Sequence, residues 1–273
     1  MIEFLLSSAL TYPEIDPILV EIGPVAIRWY SLAYLAGWFL GWAYMLKLIK
    51  AKGAPCTKDQ VADFAFWAML GTILGGRLGY VLFYNFSFYL EHPGKIFALW
   101  DGGMSFHGGF LGVALGTWYF CNRSKVPFLR FADVVACVAP IGLFLGRIAN
   151  FINGELFGRL TDSPLGMVFP DGGPLPRHPS QLYEASLEGI GLFLLLSFLY
   201  YFTSARQKPG LIAGTFLIGY SVSRTIVENF RQPDSQLNFL WGTDFLTMGQ
   251  LLSVPMVLVG LYLIFRPGKN KLL

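Results

Sequence analysis

The sequence is poor in charge. Only 14% of its 273 residues are Asp, Glu, Lys or Arg, where a water-soluble domain carries roughly a quarter, so most of its surface is not expected to face water. It holds only three cysteines and three histidines. Cys56, Cys121 and Cys137 have neither the spacing of a metal site nor that of a disulfide framework, and read as small apolar residues on or beside hydrophobic stretches. The first 24 residues contain Glu3, Glu14, Asp16 and Glu21 but no Lys or Arg. A cleavable signal peptide, which needs a basic start, is therefore not expected, and targeting is expected to rest on the first hydrophobic stretch. No His-Glu-x-x-His, Gly-x-Ser-x-Gly or Gly-x-x-x-x-Gly-Lys motif is present, which excludes the commonest metal, serine-nucleophile and phosphate-loop chemistries. A formal net charge of +3 gives no reason to expect a nucleic-acid partner.

What the sequence does have is apolar. Hydrophobic residues make up 54%, aromatic residues 16%, and the mean hydropathy is +0.53. Its 31 glycines fit as well, since glycine is commoner in membrane helices than in soluble ones. A span needs about 20 mainly apolar residues, and seven stretches qualify: 25–46, 61–84, 104–121, 131–151, 181–203, 211–230 and 245–265. The expected fold is all-α, a polytopic integral membrane protein of about seven transmembrane helices forming a single membrane domain over 1–273. Between spans, the Gly- and Pro-rich segment 152–180 reads as a small irregular cap, and 85–103, with Trp100, as a segment lying at the interface.

Lysine and arginine set the orientation. Twelve fall in one set of loops, among them Lys47, Lys50, Arg123, Arg206 and Lys269, against four (Lys95, Arg159, Arg177, Arg231) in the other. The N-terminus is therefore expected outside, in the periplasm, and the C-terminus in the cytoplasm.

Ionisable groups inside a bilayer cost roughly 2.5–3.5 kcal/mol each on insertion scales and default to function. His107 lies one turn into the third stretch, and Arg147 and Asn150 share a helix face near the outer end of the fourth. Tyr220, Arg224 and Glu228, spaced i, i+4, i+8, form a stripe along the outer half of the sixth. Tyr30, Arg77 and Tyr80 add to the same zone, with Glu155 and His178 above it in the cap. Five separate stretches thus deliver polar groups to one depth. Plainer readings stay open: His107 as a packing residue, Arg224 with Glu228 as a structural ion pair, Arg147 reaching to the interface. Asp133 is expected to pair with Arg130 near the cytoplasmic end. The glycines at 71, 75, 76 and 79, and at 108, 109, 112 and 116, read as close-packing surfaces.

Two arginines at headgroup depth suit a phosphate, and a neutral histidine beside them suits a general base near pH 7. The inventory favours an external nucleophile and a phosphate-bearing lipid. A transporter would place charge at the midplane, often with inverted repeats; no repeat is visible. Other phospholipid-headgroup transferases or phosphatases usually need an Asp-rich metal motif or further histidines, and of the three here His92 reads as a loop residue.

Four segments carry a more specific resemblance: Ser105-Phe106-His107-Gly108-Gly109; Gly146 to Gly158, with Arg147, Asn150 and Glu155; Arg177-His178-Pro179-Ser180-Gln181-Leu182-Tyr183-Glu184; and Glu228 to Asp234. Together with Thr247-Met248-Gly249-Gln250-Leu251-Leu252-Ser253 they resemble the signatures of the prolipoprotein diacylglyceryl transferases, in order, from about Tyr30 to Ser253. The resemblance implies seven spans in the bacterial inner membrane and a site open to its outer leaflet. It also implies transfer of sn-1,2-diacylglyceryl from phosphatidylglycerol to the lipobox cysteine of a pre-lipoprotein signal peptide, giving a thioether and glycerol phosphate, with no metal or cofactor. On it, His107, Arg147 and Arg224 are the expected catalytic residues. Tyr30, Arg77, Tyr80, Asn150, Glu155, Gly158, His178, Tyr220 and Glu228 are the expected substrate-binding ones, with Gly158 permitting movement of the cap.

Overall fold

The structure, a computed structural model, describes residues 10–13, 15–23, 25–232 and 247–266; the side chains of Val25, Phe106, His107, Met248 and Leu252 lie outside it. Each predicted stretch carries a helix: α1 (Trp29–Leu48), α2 (Lys58–Phe83), and, after the short α3 (Phe86–Glu91), α4 (Phe106–Ser124), α5 (Phe128–Ile152), α6 (Ser180–Phe202), α7 (Leu211–Glu228) and α8 (Met248–Phe265). Residues 245 and 246 of the seventh stretch, Pro233 and Asp234 of the fourth signature, and the acids Glu3 and Glu14 lie outside the described residues. Among those described, α2, α5 and α6 are long and apolar enough to cross a membrane. Large side chains such as Phe39, Phe66, Leu194 and Leu258 are exposed on the helices, as lipid-facing residues would be. The chain is an integral membrane protein of helical type.

Contacts divide the chain into two compact units, Met1–Tyr44 with Asp133–Leu273, and Met45–Ala132. The second is built on α2 and α4. Thr57 and Gln60 form a reciprocal capping box at the start of α2, satisfying two donors that a helix start leaves orphaned. The two helices touch backbone to backbone: a β-carbon on Gly108 would collide with the Gly75 carbonyl, and one on Gly112 with that of Gly71. The glycines here serve close packing, as expected.

In the same unit Arg77 is buried, at 3% exposure. Its Nε donates to the Ile96 carbonyl at 2.9 Å, and Nη2 to those of Lys95 at 2.7 Å and Ala98 at 2.9 Å. Nη1 reaches the carbonyls of Gly102 and, at 3.1 Å, Gly103. A guanidinium has five N–H donors, so Arg77 is fully committed to holding segment 85–103, which folds as α3 and two 3₁₀ turns, Pro93–Phe97 and Leu99–Asp101. Tyr80 stacks on Tyr84 at 5.6 Å and meets the edge of Tyr89.

In the first unit, strands β2 (Ile18–Ile22) and β3 (Val25–Arg28) pair antiparallel before α1, while β1 (Leu10–Thr11) pairs parallel with β4 (Met167–Val168). β4 lies inside the irregular 152–180 segment, whose other regular piece is a 3₁₀ turn at Pro170–Gly172. The buried Tyr12 donates to the carbonyls of Phe151 and Ile152 at 2.6 and 3.0 Å, satisfying acceptors that α5's last turn leaves open. Asp133 does not pair with Arg130. Its carboxylate accepts from the Gly210 and Ala213 amides, both at 2.8 Å, and so caps α7 from a neighbouring helix. Arg130 donates instead to the Gly53 carbonyl at 2.6 Å. An acid on another helix thus satisfies two amides at the start of α7, and α7 is the helix that carries Arg224.

Candidate active site

α6 supplies the centre of the site. Glu184 and Glu188 are spaced i, i+4 and both are fully buried. A wide π turn runs over Ala185–Gly191, a distortion that often accompanies functional sites. At Gly189 α6 lies so close to α5 that a β-carbon would come within 2.9 Å of the Phe144 Cα. Phe144 is one turn before Arg147, so the missing side chain at 189 lets the two carboxylates reach the arginine.

The result is a shared ion-pair cluster. Arg147 Nη2 lies 2.6 Å from Glu184 Oε2 and 3.3 Å from Glu188 Oε2. Arg224 Nη1 lies 3.4 Å from the same Glu184 Oε2, and its Nη2 is 2.9 Å from Glu228 Oε2. Arg231 Nη1 closes the group at 3.2 Å from Glu184 Oε1. One carboxylate therefore holds three arginines. Tyr220, buried one turn before Arg224, feels the charges of Glu188, Arg224, Arg147 and Glu184. Two charges buried without partners would each cost several kcal/mol; here every arginine has a carboxylate within reach. Such a group can receive an anion in two-pronged fashion.

Beside it, a polar corner ends α5. Asn150 and Asn153 donate to Glu155 Oε1 at 2.8 and 3.2 Å, and Gln181 donates to the Glu155 carbonyl at 2.6 Å. The turn needs left-handed backbone at Gly154 (φ +67°) and at Leu156 (φ +58°), the second unusual for a residue with a side chain. The Tyr30 hydroxyl interacts electrostatically with Glu155 and Arg147, and its ring packs on Tyr34.

Gly158 and His178 lie in the cap. Gly158 donates to the His178 carbonyl at 2.8 Å and bridges to Arg231; a β-carbon would strike the Phe230 carbonyl and come within 2.7 Å of the His178 Cβ. It is a close-packing glycine that locks the cap to the end of α7. Arg159 adds to that lock through the carbonyls of Arg231 and Glu228, at 2.9 and 3.3 Å. His178 contacts the Tyr183 hydroxyl at 3.2 Å and packs edge-on against Phe230. Burial lowers its pKa, against the pull of Asp162.

The structure thus brings Arg147, Arg224, Glu228 and Tyr220 together, with Tyr30, Asn150 and Glu155 beside them. Arg77 and Tyr80 belong to the other unit, where they hold segment 85–103, and His107 begins α4 there with its side chain outside the described residues. Sequence reasoning passed over Glu184, Glu188 and Arg231. The insertion cost that flags Arg147 flags the two glutamates equally, and their i, i+4 spacing is visible in the sequence; Arg231 carries no such signal, because it follows the span and reads as a loop cation.

Fold and cluster define a polytopic helical membrane protein with an ion-paired arginine centre among its helices. The chain belongs to the prolipoprotein diacylglyceryl transferase family, whose family model matches residues 17–266. It is similar to the phosphatidylglycerol–prolipoprotein diacylglyceryl transferase of Rhodospirillum rubrum, 58% identical over 93% of this chain and 92% of that one. The same-named proteins of Paramagnetospirillum magneticum and Rhizobium leguminosarum bv. trifolii are 56% and 51% identical, over 94% and 97% of this chain and 95% and 96% of theirs.

Proposed function

We propose that this chain transfers sn-1,2-diacylglyceryl from phosphatidylglycerol to the lipobox cysteine of pre-lipoproteins. The observation that carries the reading is the meeting of Arg147 and Arg224 on Glu184 Oε2, in a chain of this family. In the reaction the cysteine thiolate attacks the diacylglyceryl carbon that bears the phosphate ester. A C–S bond forms, the C–O bond breaks, and glycerol phosphate leaves with an added negative charge. Arg147 and Arg224 hold the donor phosphate and stabilise that charge as it develops. Glu184, Glu188 and Glu228 keep the guanidinium groups aimed, and Tyr30, Asn150, Glu155 and Tyr220 orient them or the substrate.

The thiol proton must go to a base, since an ordinary cysteine has a pKa of about 8.5. We assign that role to His107 on its sequence context, one turn into the third stretch within Ser105 to Gly109. The reading further takes all seven helices as spans of the bacterial inner membrane, with the 152–180 cap and the N-terminus in the periplasm and the C-terminus in the cytoplasm; the lysine and arginine distribution supports it.

The test is direct. Purified protein is incubated with phosphatidylglycerol and a peptide carrying Leu-Ala-Gly-Cys, and the peptide is weighed. A gain of one diacylglyceryl unit, absent when Cys is replaced by Ser, is the expected result. A folded, lipid-loaded protein that leaves the peptide unmodified refutes the assignment.

A further inference from the structure

We infer that Gly249 is a positioning residue for Arg224, acting by the absence of a side chain. Gly249 sits in the first turn of α8, which Thr247 and Gln250 fix through a reciprocal capping box. A β-carbon built on it would lie 2.9 Å from Arg224 Nε, 3.0 Å from Arg224 Nη2 and 3.1 Å from Glu228 Oε2. The helix start therefore lies flat against the guanidinium and the carboxylate that pairs with it.

An arginine side chain is usually free to step aside, which makes such a contact harmless. Arg224 is not free. Nη2 lies 2.9 Å from Glu228, and Nη1 lies 3.4 Å from a Glu184 oxygen that Arg147 also uses. The guanidinium is thus bounded on two sides by carboxylates and on a third by backbone. Glycine is a poor helix former, and local propensity alone would favour alanine at this place. The cost of glycine is offset only if the space matters. A methyl group there must push the guanidinium a few tenths of an ångström out of line with its partners, and displacements of about 1 Å at a reacting centre can cost on the order of a hundredfold in rate.

The same helix supplies a control. At Gly260 a β-carbon would meet Ile218 Cγ1 at 2.7 Å and the Gly214 carbonyl at 2.8 Å, which is helix packing remote from the arginines. The inference rests on the proposed reaction for its kinetic arm and is independent of it for its stability arm.

The experiment compares Gly249→Ala with Gly260→Ala in the purified full chain, following diacylglyceryl transfer and thermal unfolding. Gly249→Ala is expected to lower kcat by roughly tenfold or more, consistent with a sub-ångström misplacement, with the peptide KM little changed. Gly260→Ala is expected to lower the unfolding temperature while its folded fraction turns over at the parent rate. The stability arm asks whether Arg224 is what the methyl meets. Gly249→Ala is introduced beside Arg224→Ala, where the space is vacated, and the drop in unfolding temperature is compared with that in the parent. A drop in the parent that vanishes beside Arg224→Ala supports the inference. Equal drops in both backgrounds, or a folded Gly249→Ala protein with parental kcat, overturn it. If the parent itself transfers nothing while the drops differ, the proposed reaction fails and the contact stands.

Discussion

Glu184 Oε2 lies 2.6 Å from Arg147 Nη2 and 3.4 Å from Arg224 Nη1, so arginines from two different helices meet on a single oxygen of a third. The other oxygen of the same carboxylate takes Arg231. Glu184→Gln keeps the shape and removes the charge the three share. Transfer is expected to fall by at least about a hundredfold, and unfolding to become easier by about 3–5 kcal/mol, the usual cost of removing one partner from a buried ion pair. Transfer assays beside thermal unfolding of the variant check both. Glu184→Gln with parental turnover would remove Glu184 as the organiser.

Arg77 gives a second prediction. Arg77→Lys retains the charge but supplies three donors for five carbonyls, so segment 85–103 should lose its hold on α2. Faster amide exchange confined to residues 95–103 is the expected outcome, and unchanged exchange there would count against the clamp.

Asp133 accepts from two amides at the start of α7. Asp133→Ala should lower stability by about 1–2 kcal/mol, the scale of a lost cap, and loosen the helix that carries Arg224. Asp133→Asn, which keeps one accepting oxygen, should lose less. Unfolding midpoints of the two variants give the comparison.

A pH dependence follows from His178, which lies outside the spans. Burial lowers its pKa in the folded state, so the unfolded chain binds more protons as pH falls below the ordinary histidine value of about 6.5. Its contribution is therefore complete above about 6.5 and is lost as pH drops through the lower folded value. Unfolding temperatures measured from pH 7.5 down to 5 should fall more steeply for the parent than for His178→Gln. Parallel curves would exclude the histidine as the source.

The helices were legible because each needs a long apolar run, and lipid offers the backbone few other solutions. Arg147, Arg224 and Glu228 were legible because charge within such a run is costly and because i, i+4 spacing pairs two of them. Partnership between helices was not. Asp133 reads as the mate of nearby Arg130 and caps α7 instead. An arginine inside a span looks the same whether its donors face phosphate or, as with Arg77, five carbonyls of its own chain. Glu184 stands in a segment that also starts a helix, and sequence cannot tell which of its neighbours will share it.

The ion-paired cluster has a consequence for how the protein is made. α5 carries Arg147, α6 carries Glu184 and Glu188, and α7 carries both Arg224 and Glu228. On α5 the acid Asp133 lies at the opposite end of the helix from Arg147, so α5 alone brings a cation with no acid near it and α6 alone two anions, whereas α7 pairs its own charges. Because α5 and α6 follow one another in the chain, each reduces the insertion cost of the next. Biogenesis is thus expected to release them into lipid as a pair, and a nascent chain truncated between them should retain α5 poorly in the membrane.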